Sequence, residues 1–237
     1  MPSALAFSDI EKNFGAVAAL SGVTFSVNRG EFFALVGVNG AGKTTLIKCL
    51  LDFCSVDKGA IEICGASHRE PRSRENLVFL PERFTPPYYL TGRDFLDMMR
   101  RLHGATFGES EIKSMLTGLD FDLAALSKPV RSLSKGMTQK LGLASALLTA
   151  KPIYVLDEPM SGLDPKARAL LKARLKELKQ GGATVFFTSH QLADVEELAD
   201  RMAILHGGKA RFVGSPDELR AKHGGSDLES AFLTTTA

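Results

Sequence analysis

The chain has 237 residues, 44% hydrophobic and 24% charged, enough for one domain of ordinary size with a real core. A net charge of +2 gives no electrostatic reason to expect a nucleic acid or an anionic membrane as ligand. Cys49, Cys54 and Cys64 lack C-x-x-C spacing and partner histidines, which argues against zinc and for a reducing compartment. No apolar run nears the roughly 18 residues that cross a bilayer, and residues 1–5 lack a signal peptide's basic and apolar regions. If the protein serves a membrane, another chain supplies the membrane part.

Residues 4–36 read as β-rich. Val23, Phe25 and Val27 alternate with Thr24 and Ser26, the period of a half-buried strand, and Asn28-Arg29-Gly30 turns into the apolar strand Phe32–Val36. A helix is expected from Thr45 to Leu51. Ile61 and Ile63 flank Glu62 in another alternating strand, and Leu77–Leu80, ending at Pro81, is a short buried one. From Thr91 to Ala150 strands give way to helices. Phe95, Met98, Met99 and Leu102 recur at helical spacing, as do Ile112, Met115, Leu116 and Leu119. Ile153–Leu156 returns to buried-strand character. Asp164-Pro165 starts a helix with an N-cap and a proline at its first position, and Leu170, Leu171, Leu175 and Leu178 give it an apolar face. Gly181-Gly182 stops it before a strand over 183–187. Such alternation predicts a parallel sheet with crossover helices. After Gly224, Leu228 and Phe232 suggest one small helix packed on the body.

Gly37-Val38-Asn39-Gly40-Ala41-Gly42-Lys43-Thr44-Thr45 carries the chemistry. It fits G-x-x-x-x-G-K-[ST] between an expected strand and an expected helix, the context of a phosphate-binding loop. The backbone of Gly37, Asn39, Gly40, Ala41 and Gly42, with the helix N-terminus at Thr45, converges N–H groups on phosphate oxygens. Lys43 would reach the β- and γ-phosphates and the Thr44 hydroxyl would ligate Mg²⁺. Asp157 and Glu158 end an apolar strand. A carboxylate for the metal suits Asp157, and one that positions or deprotonates water suits Glu158.

Leu133-Ser134-Lys135-Gly136-Met137, followed by Gln139 and the apolar run Leu141–Leu148, resembles the LSGGQ signature of ATP-binding cassette (ABC) ATPases. The motif order agrees: phosphate loop, helical insertion, signature, acidic strand, Ser161–Asp164 like the family's D-loop, then His190 after a strand like its switch histidine. The resemblance runs from residue 4 to about 220. It implies an α/β fold: a RecA-like P-loop NTPase core with an antiparallel β subdomain (1–88 and 150–222), an inserted α-helical subdomain (89–149) and a tail (223–237). It further implies an ATPase using ATP and Mg²⁺, in which two copies, or one copy and a related cassette, sandwich ATP. Ser134 and Gly136 would meet the γ-phosphate held by the other protomer; from its residues alone, Ser134 reads as a plain helix N-cap. His190 would contact the γ-phosphate and help hold water, against the plainer reading of a satisfied hydrogen-bonding side chain. Phe14 matches the aromatic that stacks on adenine, or else plugs a strand edge.

There are departures from the pattern. Glu82 stands where the family's metal-side Gln is usual, adding charge that either tightens Mg²⁺ binding or demands a neutralising neighbour such as Arg83. Lys135 and Met137 replace the commoner Gly and Gln, and Phe14 the commoner Tyr. LSKGM and Leu80-Pro81-Glu82 resemble ABC-2-type exporter cassettes. The resemblance therefore implies a transmembrane permease partner and a peripheral place on the cytoplasmic face of the cell membrane. Pro86-Pro87-Tyr88-Tyr89-Leu90 either packs locally or lines the groove that receives that partner. The alternative is a soluble ABC clamp acting on a protein or nucleic-acid assembly. The lysines and arginines after Pro165 read as a solvated face.

Overall fold

The computed structural model describes residues 2–225 and 227–236; Met1, Ser226 and Ala237 lie outside the described residues. The strands are β1 (Ser3–Phe14), β2 (Val17–Asn28), β3 (Phe32–Val36), β4 (Lys58–Ile63), β5 (Ala66–Ser67), β6 (Leu77–Leu80), β7 (Ile153–Leu156), β8 (Thr184–Ser189), β9 (Arg201–His206) and β10 (Lys209–Gly214). They form two sheets. One is antiparallel, in the order β2-β1-β4-β5; the other runs β10-β9-β3-β8-β7-β6. In the second, the pairs from β9 across to β6 are parallel, and β10 closes the edge antiparallel to β9.

Strand β3 is buried along its whole length because the central sheet is covered on both faces, which is why it reads as an unbroken apolar run. Phe33 and Leu35 join the core made with the antiparallel sheet, while Phe32, Ala34 and Val36 join the core on the opposite face. The period of two thus sorts one strand between two cores. Phe25 stacks on Phe33 at 5.1 Å between ring centroids and meets Phe7 at 4.6 Å, so aromatic rings pin the antiparallel sheet to the central one.

The helices are α1 (Lys43–Leu50), α2 (Pro71–Arg74), α3 (Gly92–His103), α4 (Glu109–Gly118), α5 (Lys135–Leu147), α6 (Pro165–Gln180), α7 (Leu192–Leu198), α8 (Pro216–Lys222) and α9 (Leu228–Thr236). Between β6 and β7 the described residues form α3, α4, α5 and two short 3-10 turns, with no strand. Thr91 and Asp94 cap α3 reciprocally, and Gly104, at φ 61°, ends it in the left-handed conformation. Asp164 caps α6 by accepting from the Ala167 amide at 2.9 Å. Leu102 departs from expectation. It is 72% exposed, because the last turn of α3 runs past the part of the helix that buries Phe95 and Leu96. In α9, Leu228 and Ala231 are buried, while Phe232 is only partly so.

Candidate nucleotide-binding and hydrolysis site

The parallel sheet aims its carboxyl ends at one cleft. Val36 pairs with Ser189, Leu156 with Phe187 and Leu80 with Leu156. The residues that follow those strand ends are the phosphate loop after β3, Glu82 after β6, Asp157 and Glu158 after β7, and His190 after β8. In open α/β sheets this edge is where ligands bind.

Crowding by neighbouring backbone is what requires glycine in the loop. A Cβ at Gly37 would lie 2.4 Å from the Leu205 carbonyl oxygen, and one at Gly42 would lie 2.6 Å from that of Ala19, with φ of 109° besides. The β9–β10 turn holds the loop from below: the Gly208 amide donates to the Ala41 carbonyl at 3.2 Å and the Ser21 amide donates to the Gly208 carbonyl at 2.8 Å. The Lys43 ammonium is docked on the carbonyls of Gly37 at 2.5 Å and Val38 at 3.3 Å. Burial pulls its pKa down, and the charges of Glu158, Asp157 and Glu82 act the other way. Asn39 to Thr45, Glu82, Asp157 and Glu158 line one cleft of about 320 Å³. That is the size range of small-ligand sites.

Glu158 has φ of 49°, a left-handed backbone unusual for its residue type. Its Oε2 accepts from His190 Nδ1 at 2.8 Å; an ionised carboxylate only accepts, so Nδ1 carries the hydrogen. Burial pushes the Glu158 pKa up, and the His190 charge and hydrogen bond pull it back. Asp157 is also raised, first by burial and then by the Glu82 charge; Thr188, Lys43 and Thr44 oppose this. A poised, partly dry carboxylate beside an orienting imidazole is suited to taking a proton from water. Thr44, Asp157 and Glu82 offer hydroxyl and carboxylate oxygens, a donor set that fits a hard divalent cation such as Mg²⁺.

The family model described as ABC transporter matches residues 20–161. The chain belongs to this family. A Nod factor export ATP-binding protein I of Burkholderia lata is 36% identical over 228 residues, 94% of this chain and 74% of its own length. An uncharacterized ABC transporter ATP-binding protein of a Nostoc species is 38% identical over 231 residues, covering 92% of this chain and 68% of its own length. A solved structure of the ATP binding subunit of an ABC transporter matches with a TM-score of 0.90 at 34% identity, over 99% of this chain and 100% of that one. The chain is an ATP-binding, ATP-hydrolysing ABC cassette.

Within the cassette the expected residues fall into three places. Asn39 to Thr45 of the phosphate loop, Glu82, Asp157 and Glu158 share the cleft, while Gly37 lies behind it, against the Leu205 carbonyl. His190 reaches it through Glu158. Phe14 ends β1 and is 53% exposed, with the Lys12 ammonium 5.5 Å from its ring centre. Lys12 and Asn13 are both tied to Asp57, which steadies that strand end. Ser134 and Gly136 are not among the residues that line the cleft. Ser134 is exposed and its Oγ accepts from the Met137 amide at 3.2 Å, so the N-cap reading of this serine is correct as local structure. Arg83 is not the neutraliser of Glu82: it is exposed and makes no ion pair among the described residues, and the nearby cation that feels Glu82 is Lys43. Sequence reasoning passed over Val17, Ala18, Ala19, Gly207 and Gly208, which complete the cleft wall. The adjacent glycines 207–208 were a visible turn signal; the Val17–Ala19 contribution depends on β2 folding over the loop.

Proposed function

We propose that this cassette is the motor subunit of an ABC exporter, working as an ATP-gated dimer against a separate membrane subunit on the inner face of the cell membrane. One observation carries the dimer. The cleft is walled by the phosphate loop and the two acids, while Ser134, Lys135 and Gly136 lie at the start of α5, outside it. A second cassette, identical or related, brings its own α5 N-terminus to the γ-phosphate, where backbone N–H groups and the helix dipole favour an anion. Thr44, Asp157 and Glu82 would hold Mg²⁺, which would supply positive charge against the phosphates. Glu158, oriented by His190, accepts the proton of the attacking water, and loss of the γ-phosphate removes what bridges the two protomers. No described helix is long and apolar enough to cross a membrane, which is consistent with a membrane partner on another chain. Likeness to a Nod factor export protein and the LSKGM form of the signature support export.

The test is Glu158→Gln. It keeps the shape of the side chain and removes the base, so the variant with Mg²⁺ and ATP accumulates as a dimer on size-exclusion chromatography and hydrolyses at least about a hundredfold more slowly. Wild-type turnover in this variant would end the assignment of Glu158.

A further inference from the structure

We propose that Thr188 is a positioning residue for hydrolysis, one hydroxyl that sets both the Asp157 carboxylate and the backbone of Glu158. The inference rests on Asp157 being the metal-side carboxylate and Glu158 the base. Thr188 is fully buried near the end of β8. Its Oγ1 donates to Asp157 Oδ1 at 2.6 Å and accepts from the Glu158 amide at 2.8 Å. A hydroxyl has one hydrogen to give and lone pairs to receive, so the two bonds use it without conflict. The first fixes the rotation of the Asp157 carboxylate, which also feels Thr44 and Lys43 of the phosphate loop. The second anchors the amide of a residue that is left-handed at φ 49° and followed by Pro159, a pairing of constraints that a free chain disfavours. His190, two residues further on, holds the Glu158 side chain at 2.8 Å. The end of β8 therefore grips Glu158 by its backbone and by its carboxylate. Reaction geometry of this kind is lost by small displacements.

A second threonine supplies the control. Thr184, at the other end of β8, is also buried, and its Oγ1 accepts from the Gly30 amide at 2.9 Å. Thr184→Val and Thr188→Val remove the same hydroxyl from the same strand, one far from the cleft and one beside it.

The experiment measures steady-state hydrolysis by the full chain against ATP and against free Mg²⁺. Thr188→Val lowers kcat by about tenfold or more, leaves KM for ATP within about threefold, and raises the Mg²⁺ midpoint severalfold. Thr188→Ser, which restores the hydroxyl, returns kcat to within about threefold of wild type, and Thr184→Val retains wild-type kinetics. If Thr188→Val does not fold, Thr188→Cys, with its weak S–H donor, takes its place with the same expectation of reduced kcat. Wild-type kcat in Thr188→Val, a serine variant as slow as the valine one, or equal damage from Thr184→Val overturns the inference. Glu158→Gln run alongside separates the failures. If it is inactive while Thr188→Val is normal, only Thr188 loses its role; if it is active, the underlying assignment falls.

Discussion

Glu158 is asked to be ionised in a place that disfavours charge. Burial raises its pKa, and the His190 contact limits the rise. A base works only when deprotonated, so kcat/KM falls as pH drops through this raised pKa. The acid limb of the pH profile is therefore expected above 4.5, the ordinary glutamate value. A profile flat down to that value would show that Glu158 does not limit the rate. The same shift has a stability sign. A carboxyl with a raised folded pKa stabilises the fold most below its unfolded pKa, and that contribution is lost as pH rises through the folded pKa. With Glu158 as the proposed base, its ionisation costs the fold some stability at the pH where the base works.

At the scale of elements, the loop between β6 and α3 bears on coupling to a partner. Tyr88 and Tyr89 are 65% and 68% exposed and meet edge to face at 5.6 Å. The Tyr88 carbonyl accepts from the Arg131 amide at 3.3 Å and the Leu90 carbonyl accepts from the Val130 amide at 2.8 Å, so the loop backbone is held while its rings face outward. Aromatic side chains on a braced loop favour a contact surface over local packing. Replacing both tyrosines with glutamate is expected to abolish transport in reconstituted vesicles while ATPase activity of the isolated cassette stays within about twofold, because neither ring lines the cleft. Transport that survives the double change would return the loop to plain packing. How much could be read in advance follows from how local each signal is. The places of the glycine loop after β3, the acids after β7 and the cap of α6 are set by neighbouring residues, and those places were legible. Strands β9 and β10 were not foreseen, because β9 earns its place through a distant partner, Phe33 opposite Arg201. Thr188 was invisible for the same reason: its two bonds reach across to Asp157 and Glu158 after β7, and no periodicity marks them. Leu102 shows the converse, a helical spacing that is real on a turn with nothing to bury against.

For the whole molecule, the decisive question is which chain supplies each half of the ATP site. Lys43 lies in the cleft, and Ser134 lies outside it on α5. In a two-fold dimer each site then takes its phosphate loop from one copy and its signature from the other. Lys43→Ala removes the phosphate grip of its own chain, and Ser134→Arg blocks the anion site its chain offers to the partner. A pair of identical variants has both of its sites broken. In a mixed dimer, the intact loop of the Ser134→Arg copy faces the intact signature of the Lys43→Ala copy, so one of the two sites is whole. Mixing the two inactive proteins in equal amounts is expected to restore about a quarter of wild-type hydrolysis at random pairing, where about half of the pairs are mixed and each has one working site of two. A site contained within one chain would gain nothing from mixing, because every copy would still carry its own defect. Activity in the mixture, absent from both parents, measures the shared site directly.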